Sequence, residues 1–157
     1  MIQLDKKGLL VMTYLRLNAR ESLTTLSRKT AIPVSTIYDK LKLYKDHFII
    51  KYTTLINFAR LGFNARANIL LKADRDSRQA LREYLINHYH VNSVYKISNG
   101  YDFLVEGIFR NVKEVEDFLD ILGDKFTIEE TAVYYIVEDL KKETFLNDKN
   151  LLDVVAA

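Results

Sequence analysis

SLTTLSRKTAIPVSTIYDKLKLYKDHF, residues 22–48, decides how the front of this 157-residue chain is built. Ser22 is a natural N-cap, and Leu23 and Leu26 give the helix that follows an inward side. Thr30-Ala31-Ile32-Pro33 ends that helix, because proline cannot continue a helix interior but suits a helix entry. From Val34 a second helix runs to about His47. Its Ile37, Leu41, Tyr44 and Phe48 are spaced four, three and four apart and form a buried stripe. The opposite side carries Ser35, Asp39, Lys42 and Asp46. Two helices across a tight turn, the second with a polar and basic outer face, are the layout of a helix-turn-helix.

Upstream, Leu4–Leu17 reads as a helix with Val11, Met12 and Leu15 on one face, Asp5 in its first turn and a weakening Gly8. Downstream, the β-branched run Ile49–Ile56, IIKYTTLI, predicts a strand, and Leu61-Gly62 closes a short turn. From Phe63 the pattern changes. Ala65, Ala67, Ile69 and Leu71 alternate with Arg66, Asn68, Leu70 and Lys72, which predicts a strand. A helix follows over 76–89, strands over 91–97 and 101–109, a helix around Val115, Phe118 and Leu122, and a strand over 128–137. Asn99-Gly100 marks the hairpin between the middle strands.

The expected fold class is therefore α+β: an N-terminal winged-type helix-turn-helix domain (1–48), a connecting strand and turn (49–62), and a C-terminal ferredoxin-like βαββαβ domain (63–157). Strands 101–109 and 128–137 are apolar on both faces. Leu104 and Ile108, with Ala132, Tyr134 and Ile136, fall on the side away from the helices. That face needs a cover, and a second copy of the chain supplies it most simply, with Leu140–Val155 as the alternative.

The net charge is only +2, but it is unevenly spread. Residues 1–60 hold eleven Lys/Arg and four Asp/Glu, a net +7; the remainder holds twelve and seventeen, a net −5. A basic front on an acidic remainder suits a polyanion-binding module. The absence of cysteine excludes disulfides and thiolate metal sites and makes the cytoplasm the expected compartment. No apolar run approaches a membrane span of about 20 residues. Catalysis is not expected: His88 and His90 straddle a helix end with no cysteine and no H-x-x-x-H spacing, and no glycine-rich phosphate loop occurs. No cofactor or metal is expected.

Several stretches in order resemble the Lrp/AsnC family of feast-famine regulators: Leu4-Asp5, Asn18-Ala19-Arg20, Ser22–Leu26, Val34-Ser35-Thr36-Ile37, Ile49-Ile50-Lys51-Tyr52, Leu61-Gly62 and Gly100-Tyr101-Asp102. The resemblance implies a transcriptional regulator that binds double-stranded DNA as a homodimer, assembles further into tetramers or octamers, and answers to an amino-acid effector. Ala31 stands where glycine is usual in the turn, Asp39 and Leu43 where basic residues are common, and Phe48 where glycine is frequent at the helix end. The acidic Asp39 and Asp46 keep a second function in view: an oligomeric sensor or interaction module whose helix-turn-helix docks protein.

DNA affinity comes largely from cations on phosphates, and specificity from side chains at base edges. Arg28, Lys29, Lys40, Lys42 and Lys45 are the phosphate candidates, with Arg20 beside them. Ser35, Thr36, Tyr38 and Asp39 are the base candidates, Asp39 as an acceptor from cytosine or as a repulsive element. Ser35 is equally placed to cap its own helix, and Tyr38 to pack on a neighbouring one. By position, the resemblance nominates Asn99, Gly100, Tyr101 and Asp102 for the effector, with Asp102 pairing an α-amino group. A plain hairpin, with Asp102 in a turn hydrogen bond, accounts for the same residues.

Overall fold

Each early helix begins at a residue whose chemistry starts it. Asp5 caps α1 (Lys6–Leu17), its carboxylate accepting the Gly8 amide at 2.7 Å. Ser22 caps α2 (Leu23–Thr30) by accepting from the Thr25 amide at 3.1 Å. Pro33 opens α3 (Val34–His47), with no side-chain cap. The computed structural model describes residues 4–152. Those residues fall into two units: the chain up to Leu55 together with the segment from Leu140 onward, and Ile56–Asp139.

In the helical unit, Val11 and Leu15 of α1, Leu26 of α2, Ile32 of the turn, and Ile37 and Tyr44 of α3 form one core. Leu41 and Phe48 pack at its margin, so the expected α3 stripe faces inward. Gly8 has a packing role that its low helix propensity hides. A Cβ there would run into the Tyr44 hydroxyl and the Asp5 carboxylate. Ser35 lies inside α3 rather than at its cap, and Tyr38 stays 61% exposed rather than packing inward.

Two expectations are overturned. Residues 49–56 form no strand, and Ile50 is 99% exposed, so the described residues hold no wing. β-branched composition reports fitness for a sheet surface, and within one chain this run has no strand to pair with. The C-terminal segment also does not stay with the second domain. Arg16 of α1 donates to the carbonyls of Glu143 (2.9 Å) and Phe145 (3.1 Å) and pairs with the Glu143 carboxylate at 3.2 Å. Leu152 is buried. The further tail, Asp153–Val155, lies outside the described residues.

The second unit starts with a 3-10 turn (Ala59–Leu61) and continues as β1 (Ala65–Ala73), α4 (Arg78–Asn87), β2 (Val91–Lys96), β3 (Phe103–Phe109), α5 (Val112–Lys125) and β4 (Ile128–Tyr135). The sheet order is β2-β3-β1-β4, antiparallel throughout, which is the ferredoxin-like split βαβ arrangement. Ala65, Ala67, Ile69, Leu71 and Ala73 of β1 are all buried with Leu81, Leu85, Val115, Phe118 and Leu122 of the two helices. Asn99 (φ 72°) and Gly100 (φ 98°) adopt the left-handed conformation that an Asn-Gly hairpin requires.

Ala31 ends α2 at φ 55°, ψ 32°, a left-handed conformation that costs an ordinary L-residue about 1–2 kcal/mol. Glycine relieves that strain and gives back part of it as unfolded-chain entropy. Ala31→Gly should therefore stabilise the helical unit by about 0.5–1 kcal/mol, read from denaturant midpoints. A destabilised variant would contradict the left-handed assignment.

Candidate functional site

The outer face of α3 is built by what its inner face buries. With Ile37 and Tyr44 turned into the core, Ser35, Thr36, Tyr38, Asp39, Lys42 and Lys45 are left exposed. Because Pro33 offers no capping side chain, the first amides of α3 point outward at the positive end of the helix dipole. Arg28 and Lys29 close the last turn of α2, where cations suit the negative helix end.

The candidate cations divide into two sets. Lys29 pairs with Glu21 at 2.8 Å and lies 5.2 Å over the Tyr14 ring. Lys40 is turned toward the start of α1, 3.3 Å from the capping Asp5. The amide of Gly8 is the main reason the Asp5 carboxyl titrates below its usual range, with Lys40 assisting. Burial is the largest single influence on the Lys40 ammonium and pulls it down, but the hydrogen bonds and charges of Asp5 and Tyr44 together outweigh it and the net shift is upward. Arg20, Arg28, Lys42 and Lys45 make no ion pair among the described residues.

The hairpin nominated for an effector is more committed than its sequence suggests. Asp102 accepts the Ala73 amide on one carboxylate oxygen (3.0 Å) and the Arg78 guanidinium on the other (2.9 Å). Its own amide donates to Leu71. The side chain thus ties β3 to β1 and α4. The Tyr101 hydroxyl donates to Glu130 at 2.7 Å. Asn99 and Gly100 are exposed and offer backbone groups.

A cavity that sequence reasoning missed lies at the other end of β2 and β3. Its volume is about 610 Å³, and residues 88–92, Phe58, Phe63, Arg110 and α5 contribute its lining. His88 ends α4, its Nδ1 accepting the His90 amide at 3.2 Å. His90 Nδ1 lies 2.9 Å from the Ile108 carbonyl, which can only accept, so Nδ1 carries a proton. The His88 ring rests 4.8 Å from Phe118, and His90 stacks 4.7 Å from Phe109. The run HYHVN was the available signal, but it reads in sequence as an ordinary helix end. No cluster of three metal-ligating side chains occurs among the described residues.

A helix-turn-helix bundle joined to a ferredoxin-like unit defines a two-domain class of protein. Residues 66–146 match the model of the Lrp/AsnC ligand binding domain, and the chain belongs to the Lrp/AsnC family. The transcriptional regulator FL11 of Pyrococcus abyssi is 25% identical over 146 residues, covering 92% of this chain and 97% of that protein. An uncharacterized HTH-type transcriptional regulator of Pyrococcus horikoshii is 31% identical over 116 residues, covering 71% of this chain and 77% of its own length. A transcriptional regulator from Neisseria meningitidis, solved in complex with L-methionine, shares the fold at TM-score 0.83 and 19% identity, covering 89% and 94% of the two chains.

Burial, and secondarily the charge of His90, lowers the His88 pKa below its ordinary 6.5. The unfolded chain then takes up this proton first, so stability present above about pH 6.5 is lost as pH falls toward the folded value. The thermal midpoint should drop between pH 7 and pH 5. His88→Phe, which keeps an aromatic ring but cannot titrate, should flatten that drop; an unchanged slope would contradict it.

Proposed function

We propose that this chain is a sequence-specific DNA-binding transcriptional regulator that works as a homodimer or larger assembly and is modulated by an amino acid. The observation that carries the DNA reading is the exposed outer face of α3, with Lys42 and Lys45 making no ion pair among the described residues and an open helix N-terminus. Phosphate oxygens fit those amides and cations. Ser35, Thr36, Tyr38 and Asp39 are the side chains within reach of base edges. Arg28, Lys42 and Lys45 carry most of the phosphate contact, with Arg20 at the margin. Lys29 and Lys40 contribute less, because Glu21 and Asp5 already neutralise them.

The dimer reading rests on the sheet face away from α4 and α5. Tyr95 and Tyr134 are exposed there, beside half-buried Leu70 and Leu104. Arg66 sits among them, held by Asp139 at 2.6 Å and Glu106 at 3.0 Å. Its charge is thus already matched before a second subunit covers it, which lowers the desolvation cost of burial. A dimer would present two recognition helices to half-sites about 34–36 Å apart. Larger assemblies, such as tetramers or octamers, would extend this along the duplex.

The amino-acid reading is supported by the ligand-binding domain match and by the methionine-bound neighbour. In the nominated hairpin, Asn99 and Gly100 supply open backbone and Tyr101 a ring edge. Asp102 is a structural tie and not a free partner for an ammonium.

Sheared genomic DNA enriched on the protein and sequenced against a no-protein control should yield a discrete set of fragments. Binding to these should weaken steeply with salt. Lys42→Ala should reduce the log–log salt slope by about 1, whereas Lys40→Ala should leave it nearly unchanged. Failure to enrich any duplex at low salt would overturn the DNA reading and favour a protein-docking role for the helix-turn-helix.

A further inference from the structure

Helix α1 is held on two sides. Val11 and Leu15 face the core shared with α2 and α3, yet Thr13, two residues on and so on the opposite side, is fully buried too. The C-terminal segment runs along that second side. Arg16 holds the Glu143 and Phe145 carbonyls, and Leu10 lines one cavity with Lys149, Asn150 and Leu152. Glu143 (φ 52°) and Leu146 (φ 61°), at the held stretch, take a left-handed conformation that residues with side chains rarely adopt. Strained backbone of this kind persists where surrounding contacts over-determine it. The chain therefore passes between its two units twice, at Leu55–Ile56 and at Asp139–Leu140. The first passage is long. Ile49 is still tied to α3 through the Tyr44 carbonyl, and Ile50 to Asn57 form no regular element. Fully extended, that run reaches about 30 Å. The second passage is short. Asp139 is fixed on β1 by Arg66 at 2.6 Å and Glu143 on α1 by Arg16 at 3.2 Å, with only the exposed Leu140, Lys141 and Lys142 between them. Those four peptide steps reach about 14 Å.

We propose that residues 140–152 are a second tether on the helix-turn-helix unit, and that this tether sets the half-site spacing the protein accepts. The proposal rests on the reading that two copies bind one duplex. With the long passage alone, each recognition helix would search a wide volume and reach half-sites at many separations. The short passage cuts that volume, so the paired helices are presented over a narrow range of separations. A second half-site outside the reach of a tether contributes nothing to affinity, however good its contacts. Arg16 is a positioning residue in this scheme, because its guanidinium is committed to Glu143 and Phe145 and not to phosphate.

Binding of the full chain to three duplexes tests it. The first is a fragment enriched from genomic DNA. The second carries about five extra base pairs, half a helical turn, midway between its two protected patches. The third carries one patch alone. The wild-type chain should bind the lengthened duplex at least about tenfold more weakly than the parent. Inserting Gly-Ser-Gly-Ser between Lys141 and Lys142 lengthens the tether and leaves every anchoring contact in place. It should cut that penalty to about threefold or less, with single-patch affinity and the melting curve unchanged. Arg16→Met should relax the penalty in the same direction. A penalty that stays at the wild-type value in the insertion variant overturns the tether and leaves the paired reading standing. An insertion variant that loses single-patch binding assigns the segment to the folding of the bundle and also overturns the tether. A wild-type chain indifferent to spacing overturns the paired reading and the tether together.

Discussion

Along β1 every second side chain from Ala65 to Ala73 is buried, and the intervening ones are half covered. That alternation constrains everything else in the ferredoxin-like unit. The buried set fixes register, because a slip of one residue would turn Arg66, Asn68 and Lys72 into the core. It places α4 and α5 on one face only. The other face is then left with tyrosines and aliphatic side chains around the matched charges of Arg66, Glu106 and Asp139. A sheet of this kind is stable as half of a sandwich. The proposed dimer follows from the same alternation that forms the core.

Duplication in turn bears on DNA. One helix-turn-helix reads few base pairs, and this one has a modest charge, since Glu21 and Asp5 occupy two of its lysines. Arg28, Lys42 and Lys45, with Arg20 at the margin and an open helix start, are a weak grip alone. Two copies held at fixed spacing multiply that grip, because the second contact becomes intramolecular. The net +7 of residues 1–60 therefore overstates what one bundle presents to phosphates and understates what a pair can do.

Much of this was legible in the residues themselves. Ser22 and Pro33 mark helix starts through local chemistry, Ile37 and Tyr44 declare the buried stripe, and Asn99-Gly100 declares the hairpin. Other features were hidden because they depend on distant partners. The run Ile49–Ile56 has strand composition but no partner within the chain. Arg16 holds the C-terminal segment chiefly through backbone carbonyls, which leave no pattern in sequence. Asp102 looks like a free carboxylate until Ala73 and Arg78 arrive from elsewhere in the fold. The His88–Arg110 cavity draws on the 3-10 turn region, the α4–β2 junction, the end of β3 and α5, so no single stretch announces it.

The central claim is that two recognition helices, paired through the sheet domains, read one duplex. Hydroxyl-radical footprinting on an enriched genomic fragment tests it most directly. The account predicts two protected patches on one face of the duplex with centres about 34–36 Å apart, appearing together as protein is added. A single short patch at saturating protein would contradict it.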